Sequence, residues 1–240
     1  MKSHKIHPLP LCKLKMDKGG FTYLIFGNYG QKIVIPVYTW LIRGAGEPIL
    51  VDTGCSAEEF KKYTLFSEGL EHIATIEESL ARFGLSPQDI KTIIITHLDT
   101  DHILNAKKFP NAKLMVQEDE IEFVRNPHPA WIHRYYPELY EGLNFVTIRG
   151  DTEIAPGVEA ISTPGHTVGS QSVAITTKQG KVVICGMCTI DENFSDEGDI
   201  TPGIHSDPFK AYESMLKIRQ IADRIIPLHS QRLVDTKSIP

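Results

Sequence analysis

The chain has 240 residues, of which 41% are hydrophobic and 8% aromatic, as expected for a folded globular protein. Its net charge of −5 comes from interspersed acidic and basic residues, which argues against a nucleic-acid partner because such partners require a basic stripe. The N-terminal residues lack the apolar stretch of a signal peptide, and no run is long enough to cross a bilayer. We therefore expect a cytoplasmic protein without a membrane partner.

Segments rich in β-branched and aromatic residues, closed by turn residues, predict β-strands along most of the chain. Apolar residues at helical spacing predict one helix from Glu71 to Gly84. Asp207 and Pro208 predict the N-cap and first residue of a second helix that extends to Ala222. The predicted strands span residues 32–44, 48–54, 90–96, 112–117, 144–148, 158–162, 171–177, 181–185 and 224–229.

A single domain over residues 1–240 is the simplest arrangement, because the chain contains no repeat and no linker-like stretch. Residues 117–143 are aromatic, irregular and punctuated by prolines, so we predict that they form an insertion that covers a functional site. Four cysteines are too few and too scattered for a disulfide framework in a chain of this size, and we expect them to be thiols.

Residues 96–102, with the sequence THLDTDH, contain two histidines and two aspartates directly after a predicted buried strand. Imidazole and carboxylate groups are the usual ligands of zinc, iron, manganese and cobalt. Alternate residues of an extended segment point the same way, so His97, Asp99 and Asp101 can converge while His102 turns back from the next helix. The alternative is that Asp99 or Asp101 only caps that helix.

Two further histidines follow the ends of predicted strands. His166 lies in TPGHT after a Pro-Gly turn, and His229 ends the last predicted strand. A lone histidine of this kind is more often structural than a ligand. Histidines at three separate strand ends favour the metal-site interpretation over the polar turn.

These motifs together carry a family resemblance. In chain order, ILVDTG, THLDTDH, TPGHTVGSQS and PLH resemble the metallo-β-lactamase superfamily, and ILVDTGC, TPGHT, DENF and DPFKA are most similar to its N-acyl homoserine lactonase branch. The resemblance extends from about Tyr38 to His229. It implies an α/β fold, a four-layer αββα sandwich with metal ions at one edge between two sheets.

The resemblance also implies a set of metal ligands. One metal site takes His97, Asp99 and His166, and a second takes Asp101, His102 and His229. Asp52 corresponds to an acid that supports a ligand without binding metal itself. Zinc is the first expectation, as one or two ions, with iron and manganese as alternatives because all three accept imidazole and carboxylate ligands.

Two positions depart from the family pattern. Asp99 replaces the second histidine, and Met187 stands where the family has an aspartate that bridges two metals. A thioether does not replace a carboxylate for a hard dication. Three outcomes are open: two metals without the bridge, one metal, or recruitment of Cys188 as a substitute ligand after a one-residue shift.

The resemblance implies hydrolysis of a small molecule, an acyl homoserine lactone first and a related ester or thioester second. The metal would acidify water and polarise the carbonyl, and Asp101 would orient the water and pass a proton to the leaving group. The family tyrosine that holds the substrate carbonyl is absent from MCTIDENF. The residues expected to line the substrate pocket are Trp131, Tyr135, Tyr136 and His205.

Two alternatives to hydrolysis remain open. Asp99 also suits a non-haem iron protein with a redox or oxygen-binding role, because related superfamily members carry a carboxylate at that position. The other alternative is a metal-binding relative without catalytic activity. The expected partner is a small-molecule substrate, with a second copy of the chain forming a homodimer as an arrangement to test.

Overall fold

The structure is a computed structural model that describes residues 3–44, 46–63 and 68–240. Its strands are β1 (Lys5–Asp17), β2 (Lys32–Arg43), β3 (Ile49–Val51), β4 (Glu68–His72), β5 (Thr92–Ile94), β6 (Lys113–Gln117), β7 (Phe145–Ile148), β8 (Thr152–Ala155), β9 (Val158–Ser162), β10 (Gln171–Thr177), β11 (Gly180–Ile184), β12 (Phe194–Ser195), β13 (Gly198–Asp199) and β14 (Arg224–Ile226). Its α-helices are α1 (Ala57–Phe60), α2 (Ile76–Ala81), α3 (Thr100–Ile103), α4 (Glu118–Arg125), α5 (Pro137–Tyr140) and α6 (Pro208–Ile221). Among these helices, none is long and apolar enough to cross a membrane.

Two larger sheets contain most of the described strands. One has the order β4-β1-β2-β3-β5-β6-β7, and the other has the order β14-β11-β10-β9-β8. In the first sheet β3, β5, β6 and β7 pair in parallel, so their carboxyl ends lie at the same edge. The segment 96–102 follows β5 at that edge, while His166 and His229 follow β9 and β14 of the second sheet.

The main core lies between the two sheets. Trp40 and Ile94 of the first sheet pack in one buried cluster with Val173 and Ile175 of the second. Because successive strand residues point to opposite faces, Ala174 lies on the other side of the sheet, where it packs in a separate cluster with residues of α6. Helices α2, α3 and α4 cover the outer face of the first sheet. The predicted order of helix, sheet, sheet and helix is therefore confirmed.

The prediction that the first helix begins at Glu71 is wrong. The chain is still extended in β4 at Glu71, and α2 begins at Ile76. Thr75 supplies the start signal, because its hydroxyl accepts from the Glu78 backbone N–H while the Glu78 carboxylate accepts from the Thr75 backbone N–H. The capping box between Thr75 and Glu78, and not the spacing of apolar residues, therefore determines where α2 begins.

Strand β1 was missing from the predicted elements. It pairs with β2 over almost its whole length and with β4 on its other side. Pro8 and Pro10 conceal it in the sequence, because proline lacks the N–H that a central strand donates. The register with β2 shifts between Pro10 and Cys12, directly after the second proline.

Candidate metal centre

Six side chains from three segments of the chain meet at the edge between the sheets, and they form two groups of three. The first group contains His97, Asp99 and His166, and the second contains Asp101, His102 and His229. Within each group the nitrogen or oxygen atoms that the residues offer all lie within 4.8 Å of one another. The structure thus brings together the six residues that the resemblance implies as ligands, in the same two groups.

The helix-cap alternative for this segment does not account for its aspartates. Asp99 occupies the N-cap position of α3, but its side chain makes no capping hydrogen bond. Its Oδ2 atom lies 3.5 Å from His97 Nε2 and 3.4 Å from His166 Nε2. Asp99 therefore faces the histidines instead of the helix.

In each of the four histidines, the Nδ1 atom donates a hydrogen bond to an acceptor outside the two groups. His166 Nδ1 donates to the carbonyl oxygen of Ile204 at 2.7 Å, and His229 Nδ1 donates to that of Pro36 at 2.9 Å. A carbonyl oxygen only accepts, so these two rings carry their proton on Nδ1. Their Nε2 atoms are therefore unprotonated, and each carries a lone pair that can bind a metal ion.

Asp52 fixes the other two rings in the same way. His102 Nδ1 donates to Asp52 Oδ2 at 2.9 Å, and the hydroxyl of Thr96 donates to the same carboxylate at 2.8 Å. Because the Thr96 hydroxyl has given its hydrogen to Asp52, its oxygen accepts from His97 Nδ1 at 3.0 Å. Asp52 is fully buried and also accepts from the Thr96 backbone N–H. It lies behind the histidines, where an acid that supports ligands would be placed.

The Nε2 atoms of the four histidines point into one small buried space. His97 Nε2 and His166 Nε2 are 3.2 Å apart, although neither has a hydrogen to share in this tautomer. His229 Nε2 and Asp99 Oδ1 are buried and make no hydrogen bond with any described residue. Unpaired acceptors facing each other are costly unless a cation lies between them. The donor set of imidazole nitrogens and carboxylates therefore fits a divalent transition-metal ion.

Burial and neighbouring charges both act on the protonation states, and at Asp101 and His102 they act in opposite directions. Burial lowers the pKa of His97 to about 4 and that of His229 to about 4, so both rings are neutral. Burial alone would raise the pKa of Asp101, but the His102 ring opposes it and holds this pKa well below the usual range. Burial likewise lowers the pKa of His102, and the carboxylates of Asp101 and Asp52 outweigh it and raise that pKa.

Met187 and Cys188 lie on opposite sides of their loop. Met187 is fully buried and packs with Met215 and Ala211 of α6, away from the two groups. The pKa of the Cys188 thiol is raised by burial and then by the carboxylates of Asp101 and Asp99. Cys188 therefore lies on the side of the centre, although among the described residues it belongs to neither ligand group. Its role as a substitute ligand stays a prediction.

The residues predicted to line a pocket have different surroundings. The Tyr135 hydroxyl is buried and has no hydrogen-bond partner among the described residues. The Tyr136 hydroxyl donates to the Tyr63 carbonyl at 3.0 Å, and the His205 ring packs edge-on against Tyr23. Trp131 lies under the guanidinium of Arg134, whose carbon is 4.4 Å from the ring centroid. Trp131 is thus linked to the centre through Arg134.

Arg134 was not among the predicted site residues. Its Nη2 atom donates to Asp99 Oδ2, so a residue of the segment 117–143 reaches the first ligand group. The Arg134 charge opposes the effect of burial and holds the pKa of Asp99 well below its usual range. One feature of the sequence could have pointed to Arg134. It is one of the two arginines of the segment 117–143, with Arg125, and it lies among the aromatic residues of that segment.

Glu120 is a second residue that sequence reasoning missed. It is fully buried in α4, and its carboxylate accepts from the Leu98 backbone N–H at 3.0 Å. It also accepts from the Thr167 hydroxyl at 2.7 Å and the Gly169 backbone N–H at 2.9 Å. Glu120 therefore joins the loop that carries His97 to the loop that carries His166.

Replacing Glu120 with glutamine is expected to lower the free energy of unfolding by about 1–3 kcal/mol, because an amide nitrogen would face a buried donor. Urea unfolding of the metal-loaded protein measures the change. Glu122→Gln is the matched control on the same helix, since Glu122 is more accessible than the fully buried Glu120, and we expect it to stay within about 0.5 kcal/mol of the wild type. Equal stability of the two variants would contradict the bridging role of Glu120.

A four-layer αββα sandwich with paired histidine and aspartate groups at its edge defines a metallohydrolase class. The model of the Metallo-beta-lactamase superfamily matches residues 33–228, and the chain belongs to that superfamily. An N-acyl homoserine lactonase of Bacillus thuringiensis is 34% identical, over 95% of this chain and 92% of the relative. An N-acyl homoserine lactonase of a Bacillus species is 33% identical, over 92% of this chain and 87% of the relative.

Solved structures give the same result. An N-acyl homoserine lactone hydrolase, with the product N-hexanoyl-L-homoserine bound at its catalytic metal centre, superimposes with a TM-score of 0.82. It is 27% identical, and the match covers 100% of each chain. A mutant of B. thuringiensis AiiA, with N-decanoyl-L-homoserine bound at its active site, also has a TM-score of 0.82, with 28% identity and 100% of each chain covered. The family and branch predicted from the motifs are confirmed.

Proposed function

We propose that this protein is a metal-dependent hydrolase that opens a lactone ring, with N-acyl homoserine lactones as its first substrate class. The observation that carries the proposal is the convergence of four imidazole Nε2 atoms and two carboxylates in one buried space. The lactonase names of the relatives support the substrate class. A related ester or thioester is the next substrate class to test.

The proposed ligands divide into the two groups described above. His97, Asp99 and His166 would hold one metal ion, and Asp101, His102 and His229 would hold a second. A metal ion bound there supplies Lewis acidity, which polarises an ester carbonyl and acidifies water. Zinc is proposed first because the donor set suits it, while iron and manganese also accept these ligands. The cytoplasmic location and the homodimer stay predictions.

Asp101 is the proposed proton carrier. Its Oδ2 atom lies 3.2 Å from His102 Nε2 and 3.9 Å from His229 Nε2, and its side chain is 15% exposed. The carboxylate therefore borders both the second ligand group and the open side of the centre. From there it would orient a water molecule towards the substrate and pass a proton to the alkoxide that leaves when the ring opens. Its low pKa keeps it ionised, so it is a carboxylate when the substrate binds.

Metal analysis joined to kinetics tests the proposal. The purified protein is expected to contain bound transition metal and to hydrolyse N-hexanoyl homoserine lactone, with both properties lost after chelation and restored by added zinc. A parallel panel of esters and thioesters defines the substrate class. Undiminished hydrolysis by metal-free protein would refute the mechanism. Iron with visible absorption and oxygen turnover would instead support the redox alternative.

A further inference from the structure

Arg134 is the cationic side chain that the segment 117–143 places against the first ligand group. Its side chain is 21% exposed, so the guanidinium is partly buried and still reaches solvent. One N–H donates to Asp99, and the planar group lies over the Trp131 ring. A guanidinium held between a carboxylate and an aromatic face has little freedom to move.

Most of the Arg134 donors are free for a ligand. A guanidinium carries five N–H donors, and within the described part of the chain Arg134 gives a hydrogen bond only to Asp99. Its polar atoms are not among the buried groups that lack a partner, so the donors that are not used on Asp99 are accessible to solvent. A forked set of donors next to a metal centre matches the paired oxygens of a carboxylate.

The reaction creates such a carboxylate. Water adds to the carbonyl carbon of the lactone, the ring C–O bond breaks, and the alkoxide takes a proton. The resulting carboxylic acid loses a proton at neutral pH, so a neutral substrate becomes an anion beside the carboxylates of Asp99 and Asp101. The metal ions would supply positive charge to this anion, and a guanidinium beside the first group would add directed hydrogen-bond donors for its oxygens.

We propose that Arg134 is a substrate-binding residue, whose guanidinium donates to the carbonyl oxygen of the lactone and then to the carboxylate formed from it. This inference rests on the proposed lactone hydrolysis and names the residue that recognises the acyl oxygen. Trp131 holds the guanidinium in place by stacking beneath it. The segment 117–143 thereby contributes a specific contact to the substrate in addition to covering the site.

The test compares wild type, Arg134→Met and Arg134→Lys, each loaded with zinc. The probe is N-hexanoyl-L-homoserine, and titration calorimetry measures its Kd. We expect Arg134→Met to raise the Kd by about 10-fold to 100-fold. The Kd of Arg134→Lys is expected to lie between those of the wild type and Arg134→Met, because lysine keeps the positive charge and lacks the paired N–H donors of a guanidinium. The KM for N-hexanoyl homoserine lactone is expected to rise with the Kd, while bound zinc stays equal to that of the wild type.

Arg149→Met is the matched control. Arg149 pairs with Glu118 at the surface, where its side chain is 80% exposed, and it is expected to leave Kd, KM and zinc content unchanged. Unchanged Kd and KM in Arg134→Met would overturn the inference, and so would a loss of zinc that accounts for the whole effect. Failure of the wild type to hydrolyse any lactone would instead refute the proposed function, which separates the two results.

Discussion

Replacing His166 with alanine is expected to remove bound metal and to lower kcat/KM for lactone hydrolysis by on the order of 10³-fold or more. Changing a residue that only orients a ligand typically costs about 10-fold to 100-fold, and the loss of a ligand costs more. His166 is fully buried and faces His97 and Asp99, so its imidazole is part of the donor set of the first group. His102→Ala is expected to have the same effect on the second group.

Metal content measured beside turnover makes this prediction decisive. The control is His128→Ala, because His128 lies outside both ligand groups and its ring accepts only from the Ala130 backbone N–H at the surface. It is expected to keep the metal content and turnover of the wild type. A His166→Ala protein that retains both full metal content and full turnover would contradict the ligand assignment.

Replacing Asp52 with asparagine is expected to weaken metal binding by about 10-fold to 100-fold, although Asp52 is no ligand itself. The carboxylate accepts from the Thr96 backbone, the Thr96 hydroxyl and His102 Nδ1. An asparagine side chain presents one acceptor and one donor, so at least one of these buried groups loses its partner. The free energy of unfolding is expected to fall by about 1–3 kcal/mol for that reason.

Competition with a chelator of known affinity measures the change in metal binding, and urea unfolding measures the change in stability. Asp196→Asn is the matched control, because Asp196 is exposed, and it is expected to change neither quantity measurably. If Asp52→Asn binds metal as tightly as the wild type, the orientation of His102 does not depend on this carboxylate.

The convergence of these side chains was predictable because three of the histidines follow strand ends, while their division into two groups came from the family resemblance. His97, His166 and His229 each come after a strand that reads clearly in the sequence, and the family motifs fix which strand ends meet. Four of the five strands of the second sheet were likewise predictable, and 158–162 and 171–177 coincide with β9 and β10, whereas β8 was not predicted. Local patterns were sufficient wherever a buried strand had a near-continuous apolar run.

Contacts made by the segment 117–143 could not be predicted in the same way. Glu120 resembles a surface acid in the sequence, because acidic neighbours surround it, yet it is fully buried by donors from two distant loops. Arg134 reaches Asp99 across 35 positions of sequence. Neither Glu120 nor Arg134 belongs to a repeating pattern of residue types in the sequence, because their contacts depend on how separate loops pack against each other.

The Nδ1 contacts divide the centre into parts with unequal tolerance to mutation. His166 and His229 are oriented by the main-chain carbonyls of Ile204 and Pro36, which remain whatever side chain those positions carry. His97 and His102 depend on the side chains of Thr96 and Asp52, which a single substitution can remove. Each ligand group contains one histidine of either kind. Each half of the centre therefore has one imidazole whose orienting contact survives a substitution at the contacting residue and one whose contact is lost with it.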